Sequence, residues 1–296
     1  MQKVLSQSQW QVQADIHFQR VNAFASAARD RAARREKHPI YDFLTKYYPF
    51  SLGKFEKWVP GFGVKLEEAE ETRFPSPPYK HDDSGCSLDS DNLSEKERER
   101  HQFAHDLLVV TQSRKPVYSC FGMHEWAMVY TGAQVRHRET APLRLSQSDI
   151  DEVVRARPLG CTHFDAFRFF SPQAQPQNKH QLTLHDRMTH EQPACIHANM
   201  DLYKWAFKSM PWVGSNLVWE CFQLALSART VDMRASPYDL TEWGYEAIPI
   251  ETEAGRLQYQ KEQKKIEEKG RVLREELIEV LSSILIYYRE SGEFYE

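Results

Sequence analysis

The sequence predicts a mainly α-helical protein with a small antiparallel β-sheet, an α+β chain. Apolar residues recur at steps of three and four over most of the 296 residues, which is the spacing of one helix face. Short apolar or alternating runs typical of strands are confined to residues 116–138. No repeat occurs at the periods of solenoid proteins, so we expect a single domain over residues 1–296.

The helical predictions follow from periodicity and from start signals. Residues 6–36 form the first predicted helix, and Ser6 or Ser8 can cap its start. The second starts near Ser94, where "SEKE" combines a capping serine with an acid three residues later, and runs to about Gln112. The other predicted helices cover 146–156, 162–170, 195–209, 214–229 and 255–290, the last of which Gly270 can interrupt.

The β prediction rests on three short segments. "PVYSCF" and "EWAMVY" are apolar runs, Thr131-Gly132 offers a turn, and "AQVRHR" alternates. These features predict a small antiparallel meander. Residues 72–95 are polar and broken by prolines, which predicts a long loop or insertion.

Composition limits the class of protein and its compartment. Hydrophobic residues make up 41% and charged residues 27%, an ordinary globular balance, and a net charge of −4 weighs against a dedicated nucleic-acid binder. No apolar run reaches the roughly 18 residues of a membrane helix, so we expect no membrane partner. An odd number of cysteines, five, and the lack of a signal peptide predict reduced thiols and a cytoplasmic location. The oligomeric state stays open.

The segment "EQPACIHANMDLYKWAFK" contains the densest set of reactive side chains. Helical spacing would align four of them on one face: His197, Asp201, Lys204 and Lys208. A carboxylate that holds an imidazole gives it the defined tautomer and basicity of a general base, and the lysines would attract an anion. The alternative is an ordinary surface pair on an amphipathic helix. Neighbouring Tyr203 and Trp205 favour partial burial and therefore function.

A second segment, "CTHFDAFRFF", brings His163, Asp165 and Arg168 together among phenylalanines. Apolar surroundings raise the pKa of a carboxyl group, so Asp165 is a candidate acid or base. The alternative is structural, because Thr162 and Asp165 have the spacing of a capping box and Arg168 can neutralise the acid.

The third segment, "MHEW", provides His124 and Glu125 at the start of a predicted strand. Adjacent strand residues point to opposite faces, so at most one of the two would join a pocket. Glu125 is the more useful candidate, as a base that activates water.

A metal site is the main chemical alternative. "CTH" and "CIH" repeat a Cys-x-His pattern, but the Cys-x2–4-Cys spacing of structural zinc sites is absent. A His/carboxylate site for zinc or iron can be assembled from His124, His163 and His197 with Asp165 or Asp201. The leading interpretation contains no metal or other cofactor, and a divalent metal remains the alternative.

Five segments of the chain resemble one known family. They are "EKHPIYDFLTKYYPF", "MHEWAMVY", "CTHFDAFRFF", "QPACIHANMDLYKWAFK" and "DMRASPYDLTEWGYEAIPIET". Together they are similar to a bacterial family of comparable length that carries the name 3-methyladenine DNA glycosylase. The likeness spans about residues 37 to 260.

This resemblance implies a DNA-repair hydrolase that removes an alkylated purine from damaged DNA, or from a free nucleoside. Such an enzyme needs aromatic rings to stack the base, a carboxylate for the sugar or water, and cations for phosphates. The candidate carboxylates are Glu125, Asp165 and Asp201, with His163 and His197 to orient them. The candidate substrate-binding residues are Phe164, Phe167, Tyr203, Trp205, Arg168, Lys204, Lys208 and His124.

Two other classes of function remain open. One is a His/carboxylate metal-dependent enzyme that acts on a small polar substrate. The other is a non-enzymatic helical binding protein.

Overall fold

The computed structural model describes residues 2–132 and 141–292, with side chains up to residue 286. Its helices are α1 Gln7–Arg34, α2 Tyr41–Tyr47, α3 Leu52–Glu56, α4 Glu95–Ser113, α5 Met123–Val129, α6 Gln147–Arg155, α7 Phe164–Phe167, α8 Arg187–His190, α9 Ile196–Lys208, α10 Ser215–Ala235 and α11 Glu253–Gly292. Its strands are β1 Lys3–Leu5, β2 Val64–Leu66, β3 Tyr79–Asp82 and β4 Gly85–Leu88. The prediction of a mainly α protein with a small sheet is confirmed.

The sheet has the order β1-β2-β4-β3 and includes one parallel pair. Strands β1 and β2 run parallel, with Lys3 opposite Val64, while β4 is antiparallel to both β2 and β3. One face is covered, since Leu66 and Cys86 are fully buried. The sheet is therefore mixed rather than purely antiparallel.

The predicted position of the sheet is wrong. In the described part of the predicted meander, residues 116–121 form no strand and "EWAMVY" falls largely in helix α5. Six of the seven residues of α5 are buried, so the segment has no exposed face. Its apolar residues therefore show neither the period of a helix nor that of a strand. The third predicted strand, 133–138, lies outside the described residues.

The hairpin of β3 and β4 falls instead in the segment 72–95, which the sequence predicts as a loop. Gly85 has φ of 135°, and a Cβ there would lie 2.3 Å from the carbonyl oxygen of Leu66. Glycine at this position thus allows β4 to approach β2 closely. The strands are short and mostly polar, which is why the alternation signal is weak.

The helical starts agree better with the sequence. Ser94 Oγ accepts a hydrogen bond from the Glu97 amide, and Ser146 Oγ accepts one from the Asp149 amide. The predicted cap at Ser94 is confirmed, and Ser146 caps the start of α6 in the same way. The expected capping box at Thr162 is wrong, because α7 begins after His163 and has no side-chain cap.

Helix α9 lies at the centre of the molecule. Eleven of its 13 residues are buried, and it packs against α10 and α11, while α11 also packs against α4. Helix α11 continues through Gly270. A Cβ at this position would lie 1.9 Å from Asn199 Oδ1 of α9. Glycine there permits close approach of the two helices.

Within the described residues, no helix has both the length and the hydropathy needed to cross a membrane.

Candidate metal centre

One histidine from each of the three predicted segments reaches the same buried region. His124 lies on α5, His197 at the start of α9, and His163 directly before α7. The ring centroids of His124 and His197 are 4.5 Å apart, and those of His163 and His197 are 5.4 Å apart. The three side chains are almost fully buried. They belong to two adjacent clusters of potential metal ligands.

The first cluster consists of His124, His197 and Asp232. One donor atom from each residue lies within 4.8 Å of the other two. His124 Nε2 and Asp232 Oδ1 are 2.9 Å apart, yet neither atom has a hydrogen-bond partner in the described structure. The two groups are close enough to form an ion pair while His124 is protonated. Two ligands about 2.1 Å from one ion at a right angle would lie about 3 Å apart, close to this separation.

Arg229 holds the second oxygen of Asp232. Its Nη1 donates to Asp232 Oδ2 at 2.8 Å and to Glu125 Oε1 at 2.5 Å. The carboxylate is thereby fixed with Oδ1 towards His124. Supporting hydrogen bonds of this kind orient ligands in metal sites.

Charge and burial act differently on the two histidines. Burial lowers the pKa of His124, but Asp232 above all, and then Cys120 and Glu125, outweigh burial and raise that pKa well above the usual value. Burial, together with the neighbouring His124, lowers the pKa of His197 well below its usual value. His197 is therefore a neutral imidazole, the form that binds metals.

The second cluster, His163, Glu191 and Asp201, already contains its cations. His163 Nε2 is 3.5 Å from Glu191 Oε1 and from Asp201 Oδ2. Arg187 donates to both of these oxygens, at 2.6 Å and 2.5 Å, and Lys204 donates to Asp201 Oδ2 at 2.8 Å. The guanidinium occupies the position that a metal ion would need. We interpret this cluster as a buried ion-pair network.

Asp201 is saturated with donors. Tyr48 Oη donates to its Oδ1 at 2.6 Å, while Arg187 and Lys204 donate to Oδ2. Burial raises the pKa of Asp201, but Lys204, His163 and Arg187 outweigh it and hold that pKa well below the usual value. The carboxylate stays ionised and has no uncommitted oxygen. The expected pairing of Asp201 with His197 is replaced by its contact with His163.

A cavity of about 270 Å³ adjoins the first cluster. His197, Glu125 and Arg229 line it on the side of the cluster, and Phe43 and Tyr47 of α2 line another part. The remaining lining residues are Lys37, His38, Pro39, Asp42, Lys46, Met128, Asp165 and Phe169. Such a cavity lies just below the usual size range of small-molecule sites, about 300–1,000 Å³.

The candidate residues divide between the cavity and the core. Of the predicted catalytic residues, Glu125, Asp165 and His197 line the cavity. The four predicted stacking rings do not line it; Phe167, Tyr203 and Trp205 are buried in the core, and Phe164 packs against that core. The rings that do line it are those of Phe43, Tyr47 and Phe169.

The predicted cations also lie elsewhere. Arg168 Nε pairs with Asp165 Oδ1 at 3.2 Å, and Lys204 Nζ lies 3.4 Å from Asp165 Oδ2. Lys208 is exposed, with its ammonium 5.9 Å from the centroid of the Trp205 ring. None of these three cations lines the cavity.

His124 and Glu125 both join the site, which corrects the expectation that only one would. Successive residues of a helix are about 100° apart, whereas those of a strand are opposed. His124 Nε2 therefore lies 4.0 Å from Glu125 Oε1, and both side chains face α10.

Sequence reasoning missed Asp232 because the predicted helix ended at residue 229, and it assigned no role to Arg229 at that end. Helix α10 continues to Ala235 and buries both side chains. The available signal was an arginine and an aspartate three residues apart in the otherwise small and apolar run "ALSARTVDM". Arg187 and Glu191 were missed for a different reason, because they lie in a stretch without helical periodicity.

No cysteine of the described residues provides one of the converging ligand atoms, although Cys120 contacts His124. Among the described residues, the groups of converging ligand atoms contain histidines and carboxylates alone. Cys161 Sγ instead donates to the backbone carbonyl of His163.

Comparisons with protein-family models, with curated proteins and with solved structures found no match to this chain.

Proposed function

We propose that the protein is a metal-dependent hydrolase whose metal ligands are His124, His197 and Asp232. The observation that carries the proposal is the convergence of three buried donor atoms within 4.8 Å of one another, with His124 Nε2 only 2.9 Å from Asp232 Oδ1. Once His124 has lost its proton, a shared cation would satisfy both of these atoms at once.

The charge of the cluster supports a bound cation. Glu125 and Asp232 face Arg229 and His124, and once His124 gives up its proton to bind a metal the four groups carry a formal charge of −1. A divalent ion would replace this negative charge with a positive one next to the cavity. Around the second cluster, three cations pair with the same number of acids, so no negative charge is left over for a metal ion. The cations are Arg168, Arg187 and Lys204, and the acids are Asp165, Glu191 and Asp201.

The ligand set supports catalysis rather than a structural role. Catalytic zinc sites use three protein ligands, such as two histidines and a carboxylate, and keep a position open for water or substrate. A bound divalent ion would supply Lewis-acid chemistry and lower the pKa of a water towards neutrality. His197 lines the cavity, so the open side would face the space where a substrate can bind.

The residues around the cavity have distinct roles in this proposal. Glu125 lines the cavity beside His124 and accepts the proton of the attacking water. Arg229 fixes Glu125 and Asp232 relative to each other. Asp165, held by Arg168 and Lys204, contributes a second carboxylate to the cavity wall.

The predicted glycosylase activity is one hydrolysis that this site could perform. Of the two partners expected from the sequence, the net charge of −4 favours a free nucleoside over duplex DNA, whose binding needs cations for the phosphates. The odd number of cysteines supports a cytoplasmic location.

The test is hydrolysis by protein that has been stripped with a chelator and reloaded with zinc, iron or manganese. The substrates are 3-methyladenine nucleoside, methylated DNA and p-nitrophenyl phosphate. We expect turnover of a small substrate that is lost on stripping, restored by metal, and abolished in His197→Gln. Turnover that persists in the chelator, or iron-dependent consumption of O2 without hydrolysis, would contradict the proposal, because two histidines and a carboxylate also hold iron in oxygenases.

A further inference from the structure

We propose that the cavity binds a small anion that also carries a planar ring, with the phosphate or carboxylate group bound by Arg229 and Tyr47. Its role as substrate rests on the proposed hydrolase, whereas its binding can be measured independently of any reaction.

Arg229 has donors to spare at the cavity wall. Its side chain is 1% exposed, and Nη1 is occupied by Glu125 and Asp232. Its Nε and Nη2 are buried without hydrogen-bond partners in the described structure. Unpaired charged donors are costly to bury, and a guanidinium pairs best with the two oxygens of a carboxylate or phosphate.

Tyr47 contributes a second uncommitted donor. Tyr47 lines the cavity, and its hydroxyl is buried with no hydrogen-bond partner among the described residues. Burial, with the nearby charges of Asp201 and Asp165, raises the pKa of this phenol well above its usual value. The hydroxyl therefore stays protonated and can donate to an anion.

Two acids of the cavity wall are neutralised by cations other than Arg229. Asp42 pairs with Arg31 at 2.9 Å and Asp165 with Arg168, whereas Glu125 shares Arg229 with Asp232. Two further lysines, Lys37 and Lys46, line the cavity with exposed side chains. Their charge would steer an anion towards the opening.

The aromatic residues of the cavity wall are the reason to expect a planar ring in the bound anion. Phe43 and Tyr47, one turn apart on α2, stack with centroids 4.9 Å apart and an angle of 14°. The Arg229 guanidinium carbon lies 3.9 Å from the centroid of the Phe43 ring. Phe169 lines the same cavity. Ring faces of this kind bind planar groups by stacking.

The test is isothermal titration calorimetry with phenyl phosphate, phenol and inorganic phosphate on the full chain. We expect one saturable site for phenyl phosphate, at least tenfold tighter than for either fragment. Tyr47→Phe keeps the ring and should weaken binding by about five- to tenfold, the effect of one lost hydrogen bond. Lys46→Met should weaken it about twofold, whereas Lys57→Met, an exposed lysine outside the cavity, should have no effect.

Three outcomes would overturn the inference. The first is phenol binding as tightly as phenyl phosphate, and the second is Tyr47→Phe behaving like Lys57→Met. The third is binding of phenyl phosphate that disappears in chelator-stripped protein, since the anion would then be held by a metal rather than by Arg229. Metal-dependent hydrolysis without phenyl phosphate binding contradicts this inference alone. Phenyl phosphate binding by a protein that takes up no metal and hydrolyses none of the substrates contradicts the proposed hydrolase alone.

Discussion

At the scale of single residues, the described interior contains polar atoms of two kinds, those saturated with partners and those left without any. Asp201 accepts hydrogen bonds from Tyr48, Arg187 and Lys204, whereas Asp232 keeps one oxygen uncommitted. Saturated groups stabilise the fold, and unsaturated groups beside a cavity are candidates for ligand binding.

The hydrogen bond from Tyr48 to Asp201 gives the first prediction. Tyr48→Phe removes a donor to a buried carboxylate and should lower the free energy of unfolding by about 2 kcal/mol. Tyr79→Phe is the matched control, because the Tyr79 hydroxyl is buried without a partner and its loss should cost nothing or stabilise slightly. Urea unfolding of both variants measures the difference. Equal effects of the two substitutions would contradict the assignment.

His101 gives a prediction about pH. It is fully buried on α4 with neither ring nitrogen bonded, and burial, then the charge of Arg100, lowers its pKa to about 4. The unfolded chain, with a histidine pKa of about 6.5, binds the proton more readily, so stability present above pH 6.5 is lost as the pH falls towards 4. Between pH 7 and pH 5 this residue should account for about 2 kcal/mol of lost stability.

The measurement is the free energy of unfolding at pH 7 and at pH 5 for the wild type and for His101→Leu. The variant should lose less stability on acidification, whatever its absolute stability at pH 7. An unchanged difference between the two pH values would show that His101 is not responsible.

At the scale of elements, the contact between α9 and α11 depends on Gly270. Asn199 faces this glycine and is held by bonds to the carbonyls of Pro193 and Cys195 and by Arg274, so it cannot easily move. Gly270→Ala should therefore lower the free energy of unfolding by about 1–3 kcal/mol through overpacking, although alanine is the better helix former.

Gly53→Ala is the control for helix propensity. Gly53 lies in α3, where a Cβ would meet nothing closer than Ser51 Oγ at 3.8 Å. This substitution should be neutral or stabilising by up to about 1 kcal/mol. Thermal unfolding compares the two variants, and a stabilised Gly270→Ala protein would contradict the close approach of the helices.

Helix α5 illustrates what local sequence does not determine. Its apolar run is compatible with a strand or a buried helix, and only packing against α10 distinguishes the two. The hairpin of β3 and β4 was missed because its residues are mostly polar. Its second strand, β4, also pairs with β2, and such a non-local pairing leaves no signal in the local sequence. Helices with clear caps and periodicity, such as α4 and α6, were predicted because their signals are local.

At the scale of the whole molecule, the sequence identified three of the segments that meet at the site but not how they pair. His124, His163 and His197 were candidates from composition alone. The partners Asp232 and Arg229 come from a fourth segment, α10, and only the fold brings them to His124. Which histidine faces which acid is a property of helix packing, so no spacing in the chain could reveal it.

The most direct test of the metal centre is the metal content of protein purified without chelators or a metal-affinity tag and then dialysed against zinc. Elemental mass spectrometry should find about one ion per chain in the wild type and in His163→Gln, and far less in His197→Gln. The two variants remove neighbouring buried histidines, so the difference between them reports the ligand set rather than general damage to the fold. A wild type without stoichiometric metal, or equal occupancy in both variants, would contradict the assignment of His124, His197 and Asp232 as a metal site.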